Sequence, residues 1–465
     1  MIPRNELDVD VLVVGAGPSG STLATLVALA GHRVLILDQA LPRHAGMLEL
    51  LPPATVHGVF RLTGAEALLR CQEHTESHGA TLWGCAWGDP WSVPFAAAPH
   101  RSSDATTAHH VERAQLKKIL TDAARRQGAE FRDQCTVVDL FEQDGRVAGA
   151  YWVASDGVRR RTTSRYVVDA TGFGGNLDGD EPTGNDAFTT FFSYFTGARR
   201  TSASCPDDSF VAAFDGGEFW CVPFGPDLTG VRVVVRDIPN ISRMSDVTAD
   251  ADGIRRTVQD LLDRCPAAAQ YLSGGRPVTE GRYGEAIRRT ARTHARPTFW
   301  RPGLVRIGEA ACVVEPSLGR STHLATFGAL QAARSINTAM LGGVDEPLLF
   351  EEFEARYRAE YRRLAVSLDA LAKPRQDDNA LDVTGAVAGR PASNLERFAE
   401  VLGGFSSHDP VLCDATCFRD RRAAPAWFAD LDAMRPTTAA SAPDPSRDRR
   451  LLALSVDGIR WDSGS

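Results

Sequence analysis

Lysine is almost missing from this 465-residue chain: of 51 basic residues only Lys117, Lys118 and Lys373 are lysines. Any chemistry that needs a reactive amine therefore has three candidates. A positive surface is missing too, since the net charge is −8, which excludes long-range attraction to phosphate backbones and with it nucleic-acid binding. Nine cysteines are present, but the closest pair is Cys413 and Cys417, and no second pair or histidine cluster completes a metal-ligand spacing. The expectation is no metal, and reduced thiols in a cytoplasmic protein. The longest apolar run, Leu23 to Ala30, is too short to span a bilayer. The N-terminus lacks the charged, apolar, small-residue order of a signal peptide. Internal repeats are absent.

What is there begins with a βαβ pattern. Val9 to Val14 is an apolar, β-branched run ending at Gly15; Ser19 to Ala30 carries helical spacing; Arg33 to Leu37 reads as a second buried strand ending at Asp38. A helix is expected over Arg113 to Gln127, and a small antiparallel meander between Val137 and Gly172. From Asp186 to Arg236 the pattern stays β, and Glu346 to Ala372 reads as one long helix. The fold class is α/β: a Rossmann-type domain over residues 1–180 and 290–345, a β-rich substrate domain over 181–289 joined by 70–105, and a mostly helical C-terminal part over 346–465. Its stretch 437–450, rich in Pro, Ser, Ala and Asp, reads as a flexible linker.

Gly15-Ala16-Gly17-Pro18-Ser19-Gly20 lies between strand and helix, and Asp38 follows at the end of the next strand. Gly15 permits the tight turn, Gly17 lets a pyrophosphate approach the backbone, and Gly20 lets helix pack on strand. The helix N-terminus at Ser19 favours the anion, and Asp38 accepts from a ribose. Two further strand-end turns occur at Asp169-Ala170-Thr171-Gly172 and at Gly308-Glu309, and Arg113 opens a helix after Val111-Glu112. Three such turns suggest one extended ligand across one sheet edge. FAD fits better than NAD, because a nicotinamide enzyme seldom needs a late segment to return to its cofactor.

The combination GAGPSG, VERAQL, DATG, IGEAACVVEP and HLATFGALQAARSIN resembles the flavin-dependent monooxygenases of the p-hydroxybenzoate hydroxylase-like fold, and within them the flavin-dependent halogenases of natural-product pathways. The resemblance implies bound FAD, with Pro316 and Ser321 beside it, and molecular oxygen forming a flavin hydroperoxide that oxidises halide. It also implies an active-site lysine beside the substrate and a separate flavin reductase. Three departures stand out. The lysine position holds Ser77 and His78. The W-x-W-x-I-P pattern corresponds to Glu218-Phe219-Trp220-Cys221-Val222-Pro223, and the small-residue turn that meets halide and flavin becomes Gly319-Arg320-Ser321-Thr322.

Without a lysine, the expected reaction is direct oxygen transfer to an aromatic or electron-rich small molecule, free or carrier-bound. A halogenase with another active-site group and a non-catalytic flavoprotein scaffold remain as alternatives. Arg320 either anchors a carboxylate or the flavin edge, or closes a salt bridge with Glu315. His78 and His57 are candidates for acid/base work. Glu49, in a family active-site motif, is a candidate base. Trp220 alternates with Phe219 along a strand and is a candidate pocket wall.

Overall fold

The structure is a computed structural model that describes residues 7–39, 46–84, 88–99, 101–172, 175, 177, 187–200, 205–236, 250–316, 319–372, 394–413, 452, 454, 455 and 457–462. The stretch 437–450, Cys417 and Lys373 lie outside them. Strand β1 (Val9–Val14) leads into α1 (Pro18–Leu29) and β2 (Val34–Leu37). Next come β3 (Leu48–Leu51), α2 (Ala65–Arg70), β4 (Thr75–Ser77), β5 (Gly79–Gly84), β6 (Gly88–Pro94), β7 (Ala108–Glu112) and α3 (Arg113–Arg126). Strands β8 (Glu130–Arg132), β9 (Thr136–Gln143), β10 (Arg146–Val153) and β11 (Arg159–Asp169) follow. The second half opens with β12 (Ala187–Thr196), β13 (Ser209–Phe214), β14 (Gly217–Phe224) and β15 (Leu228–Arg236), then α4 (Ala251–Leu262) and α5 (Pro266–Tyr271). Helices α6 (Ser321–Leu341), α7 (Glu346–Ala372) and α8 (Asn394–Gly403) close it.

Two large sheets result. In the first, Leu304–Arg306, β11, β1, β2 and β8 run parallel in that order, while β10 and β9 fold back antiparallel on β11. All six residues of β1 are buried, as a parallel strand covered on both faces requires. Helices α1, α3 and α6 cover one face, and Asn337 of α6 donates to the Leu26 carbonyl of α1 at 3.3 Å. The second sheet orders β12, β15, β14, β13, β5 and β6, and β5 joins β13 in parallel. Strands from residues 79–94 thus cross into the sheet built mainly by 187–236. Its two faces serve different cores. Phe219 packs with residues of α4 and α5, whereas Trp220 belongs to the large core shared with the first sheet, the alternation expected of a strand. A third, three-stranded sheet, β3-β7-β4, stands between them. Among the described residues no helix is long and apolar enough to cross a membrane.

Candidate functional site

The carboxyl ends of three parallel strands meet at one edge. Gly15 N–H donates to Leu37 O at 2.8 Å, Ala170 N–H to Val14 O at 2.9 Å and Ile307 N–H to Asp169 O at 3.0 Å. Such an edge is where open α/β sheets bind ligands. Gly15 turns at φ +104°, and a Cβ there would stand 2.3 Å from the Ala170 carbonyl oxygen; one at Gly20 would stand 2.0 Å from Gly15 O. Gly17, at the head of α1, differs. A Cβ there would meet nothing within 4 Å, so the glycine opens space in front of the helix N-terminus. That space fits a pyrophosphate. Gly308, at φ +62°, lies against Ser19, and Gly172 faces Glu309, so the late segment does return to the first turn.

Asp38 ends β2 as expected, and its carboxylate accepts from Ala16 N–H at 2.8 Å and from Lys117 Nζ at 2.5 Å. Lys117 thus braces the Asp38 end of this edge. Lys118 pairs with Asp122 on the surface. Each described lysine is paired with a carboxylate. Arg113 begins α3, and its backbone N–H donates to Met47 O at 2.8 Å. Its side chain lies 3.7 Å from buried Glu49, which also accepts from Thr322 Oγ1 at 3.1 Å. Glu49 thus ties β3, α3 and α6 together at the edge. Glu309 is held by Arg289 at 2.8 Å, and half-buried Pro316 and Ser321 flank the turn into α6.

The position where the resemblance expects a lysine is closed. Ser77 is fully buried and its hydroxyl donates to Gly79 O at 2.9 Å. One oxygen of Asp208 takes the backbone N–H groups of His78 and Gly79 at 2.7 and 3.0 Å. The His78 residue itself is exposed. His57 is bound to Glu66 at 3.1 Å and sits away from this edge. Trp220 faces the core between the sheets with its indole N–H buried and without a hydrogen-bond partner.

Glu315 does not pair with Arg320. Arg236 takes it at 2.7 Å and reaches Glu218 at 3.6 Å, so Glu218 belongs to an ion cluster. Arg320 turns inward instead. It is 1% exposed, and none of its three guanidinium nitrogens has a hydrogen-bond partner. Burial pushes it down to about 10, against the pull of Glu360, so it stays charged at neutral pH. Beside it His323 Nδ1 lies 3.0 Å from Thr55 Oγ1, and its Nε2 lies 3.5 Å from Glu360. Burial and the Arg320 charge lower this imidazole, against the pull of Glu360. Glu360, which accepts from Ser406 at 3.0 Å, is raised by burial but held at about 2 by His323, Arg363 and Arg320. Sequence reasoning missed Glu360, which carries no motif and arrives from α7, and gave no role to Ser406, which lies in the turn after α8.

A family model described as tryptophan halogenase matches residues 93–378. The tryptophan 2-halogenase of Chondromyces crocatus is 24% identical over 370 residues, covering 77% of this chain and 66% of the relative. The chain spans just under two thirds of the length of that relative. Among solved structures, the myxobacterial chondrochloren halogenase CndH is similar with a TM-score of 0.73 and 29% identity, covering 98% of this chain and 99% of that one. The anhydrotetracycline hydroxylase OxyS of Streptomyces rimosus shares the fold at a TM-score of 0.64 and 19% identity, over 85% of this chain and 76% of its own.

Proposed function

Because the chain belongs to the tryptophan halogenase family, we propose that it is an FAD-dependent oxidoreductase acting on an electron-rich aromatic small molecule between its two large sheets, and that it transfers oxygen rather than halogen. The observation that carries the second part is the knot at Ser77: the position where the family resemblance places an amine is a buried hydroxyl tied to Gly79 and backed by Asp208. FAD, when bound and reduced, supplies the activation of molecular oxygen, with electrons from a separate flavin reductase.

The chain's own residues do the rest. The open space at Gly17 and the amides at the start of α1 take the pyrophosphate, while Arg113 offsets its charge. Asp38, held by Lys117, fixes the ribose end. Arg320 takes an anionic oxygen of the substrate, an ionised phenol or a carboxylate, in a setting where no protein group competes for its donors. An ionised phenol is the more electron-rich ring, so the same contact that orients it activates it. Trp220 gives the ring a flat wall and a free N–H. His323, anchored on Thr55 and Glu360, backs Arg320 on the buried side.

Halogenation is the second reading, and the 29% identity to a halogenase along nearly the whole chain favours it. The test supplies the protein with FAD, a flavin reductase, labelled oxygen gas, chloride or bromide, and a set of phenols and indoles. Product carrying one labelled oxygen supports the proposal, and halogenated product overturns it. Ser77→Lys in the same assay asks whether the amine alone shifts the outcome toward halogen.

A further inference from the structure

Beside the three-stranded sheet three imidazoles gather. Strand β4 pairs antiparallel with β7 so that Glu76 stands directly opposite His109, on the same face of the sheet. His74 precedes Glu76 by two residues, which in extended chain points it to that face as well. One nitrogen or oxygen from each of these three residues lies within 4.8 Å of the others, and His74 Nε2 is 3.6 Å from Glu76 Oε1. Donors around a tetrahedral zinc ion stand roughly 3.3 Å apart, so small side-chain rotations close the set.

The protonation pattern suits a cation. His74 Nδ1–H donates to the Gln72 carbonyl at 2.8 Å, which leaves Nε2 with its lone pair toward Glu76. His109 is buried and its Nδ1 has no hydrogen-bond partner. His57 comes down on it from residues 55–60, the ring centroids 6.3 Å apart. Its Nδ1–H is taken by Glu66 at 3.1 Å, in preference to Arg61 at 3.3 Å, because two N–H groups do not bond. The His57 Nε2 lone pair is then left buried and without a partner. A carbonyl or carboxylate behind the far nitrogen is how metal-binding histidines are oriented. The nearby cations are spent: Arg61 and Arg70 both pair with Glu66, at 2.9 and 2.7 Å.

We propose that His74, Glu76 and His109, with His57 as the fourth donor, bind one divalent ion of the zinc class. The set holds nitrogen and carboxylate oxygen without thiolate, which suits zinc, cobalt or nickel rather than magnesium or calcium. The ion clips β4 to β7 and to residues 55–60. Strand β4 runs on through Ser77 into β5 of the substrate sheet, and β7 ends at Arg113, so the clip fixes the spacing between substrate sheet and flavin edge.

The experiment uses the full chain, stripped with a chelator and dialysed. Cobalt is titrated while its visible ligand-field bands are followed, and zinc is then titrated by calorimetry. One ion per chain is expected, with zinc raising the melting temperature. His74→Ala and Glu76→Ala change half-buried and exposed side chains, so they fold, and each is expected to weaken binding by at least about tenfold and abolish the thermal gain. No saturable binding overturns the proposal. So does binding unchanged in both variants, or a thiolate-to-cobalt charge-transfer band, which would place the ion on exposed Cys71.

Discussion

Arg320 is the residue whose presence is hardest to explain by folding alone. A buried guanidinium without hydrogen bonds loses its hydration and regains only the distant attraction of Glu360, a net cost of several kcal/mol. Replacing such a group by an apolar side chain of similar volume often stabilises a protein. Arg320→Met is therefore expected to raise the melting temperature of the flavin-free protein while lowering kcat/KM at least tenfold, the pattern of a group kept for a ligand at the expense of stability. Calorimetry and steady-state kinetics on the same preparation check it. A variant that loses stability and keeps activity would show the arginine to be structural. Trp220 makes a weaker case of the same kind, since its unpartnered N–H leaves one hydrogen bond open to the same ligand.

At the scale of elements, the β1–α1 turn separates two demands that glycine serves. Gly15 is needed by the chain itself: φ of +104° and a carbonyl 2.3 Å from its missing Cβ make Gly15→Ala destabilising with or without cofactor, by about 1–3 kcal/mol or more. Gly17 sits at φ −71°, which any residue adopts, with nothing near its missing Cβ. Gly17→Ala is expected to fold with an unchanged flavin-free melting temperature and to bind FAD at least tenfold more weakly, because the methyl group fills the space the pyrophosphate needs. Flavin fluorescence titration beside thermal melts distinguishes the two. These turns were legible in the sequence because their chemistry is local: spacing, φ preference and helix start all fall within a few residues. The ion cluster that seats Glu218 was not legible, since Arg236 and Glu315 come from other strands and turns. The same holds for the knot at Ser77, whose partner Asp208 lies 131 residues on. The cluster of three histidines and Glu76 was equally hidden. Its spacing matches no linear metal motif, and only the pairing of β4 with β7 brings Glu76 opposite His109.

Across the whole molecule, two buried carboxylates fasten the C-terminal helices to α6, and both tie stability to acid. Asp409, after α8, grips Arg334 of α6 through two bonds of 2.6 and 3.0 Å and also accepts from Gln331. Glu360 of α7 joins His323 of α6 to Ser406. Burial raises both carboxyls, but the cations and donors around them win and hold each at about 2. The sign follows from linkage: a folded-state value below the unfolded one adds stability that is fully present above the unfolded range, near 4, and is lost as pH falls toward 2. The imidazole of His323 works differently. Its value is lowered by burial, so stability is lost as pH falls below the ordinary histidine value, where the unfolded chain takes a proton that the folded one refuses. Melting temperature is therefore expected to begin to fall as pH drops below about 6.5, through His323, and to fall steeply below pH 4, through Asp409 and Glu360. Asp409→Asn leaves Arg334 buried without an anion, so it is expected to lower the melting temperature at pH 7, by the few kcal/mol that breaking a buried pair costs, and to flatten the acid slope. Glu360→Gln is expected to do the same through Arg320 and His323. Melts of the three proteins between pH 7 and 3 decide it: variants that match the wild-type acid slope would show that the fastening of α7 and α8 does not rest on these charges.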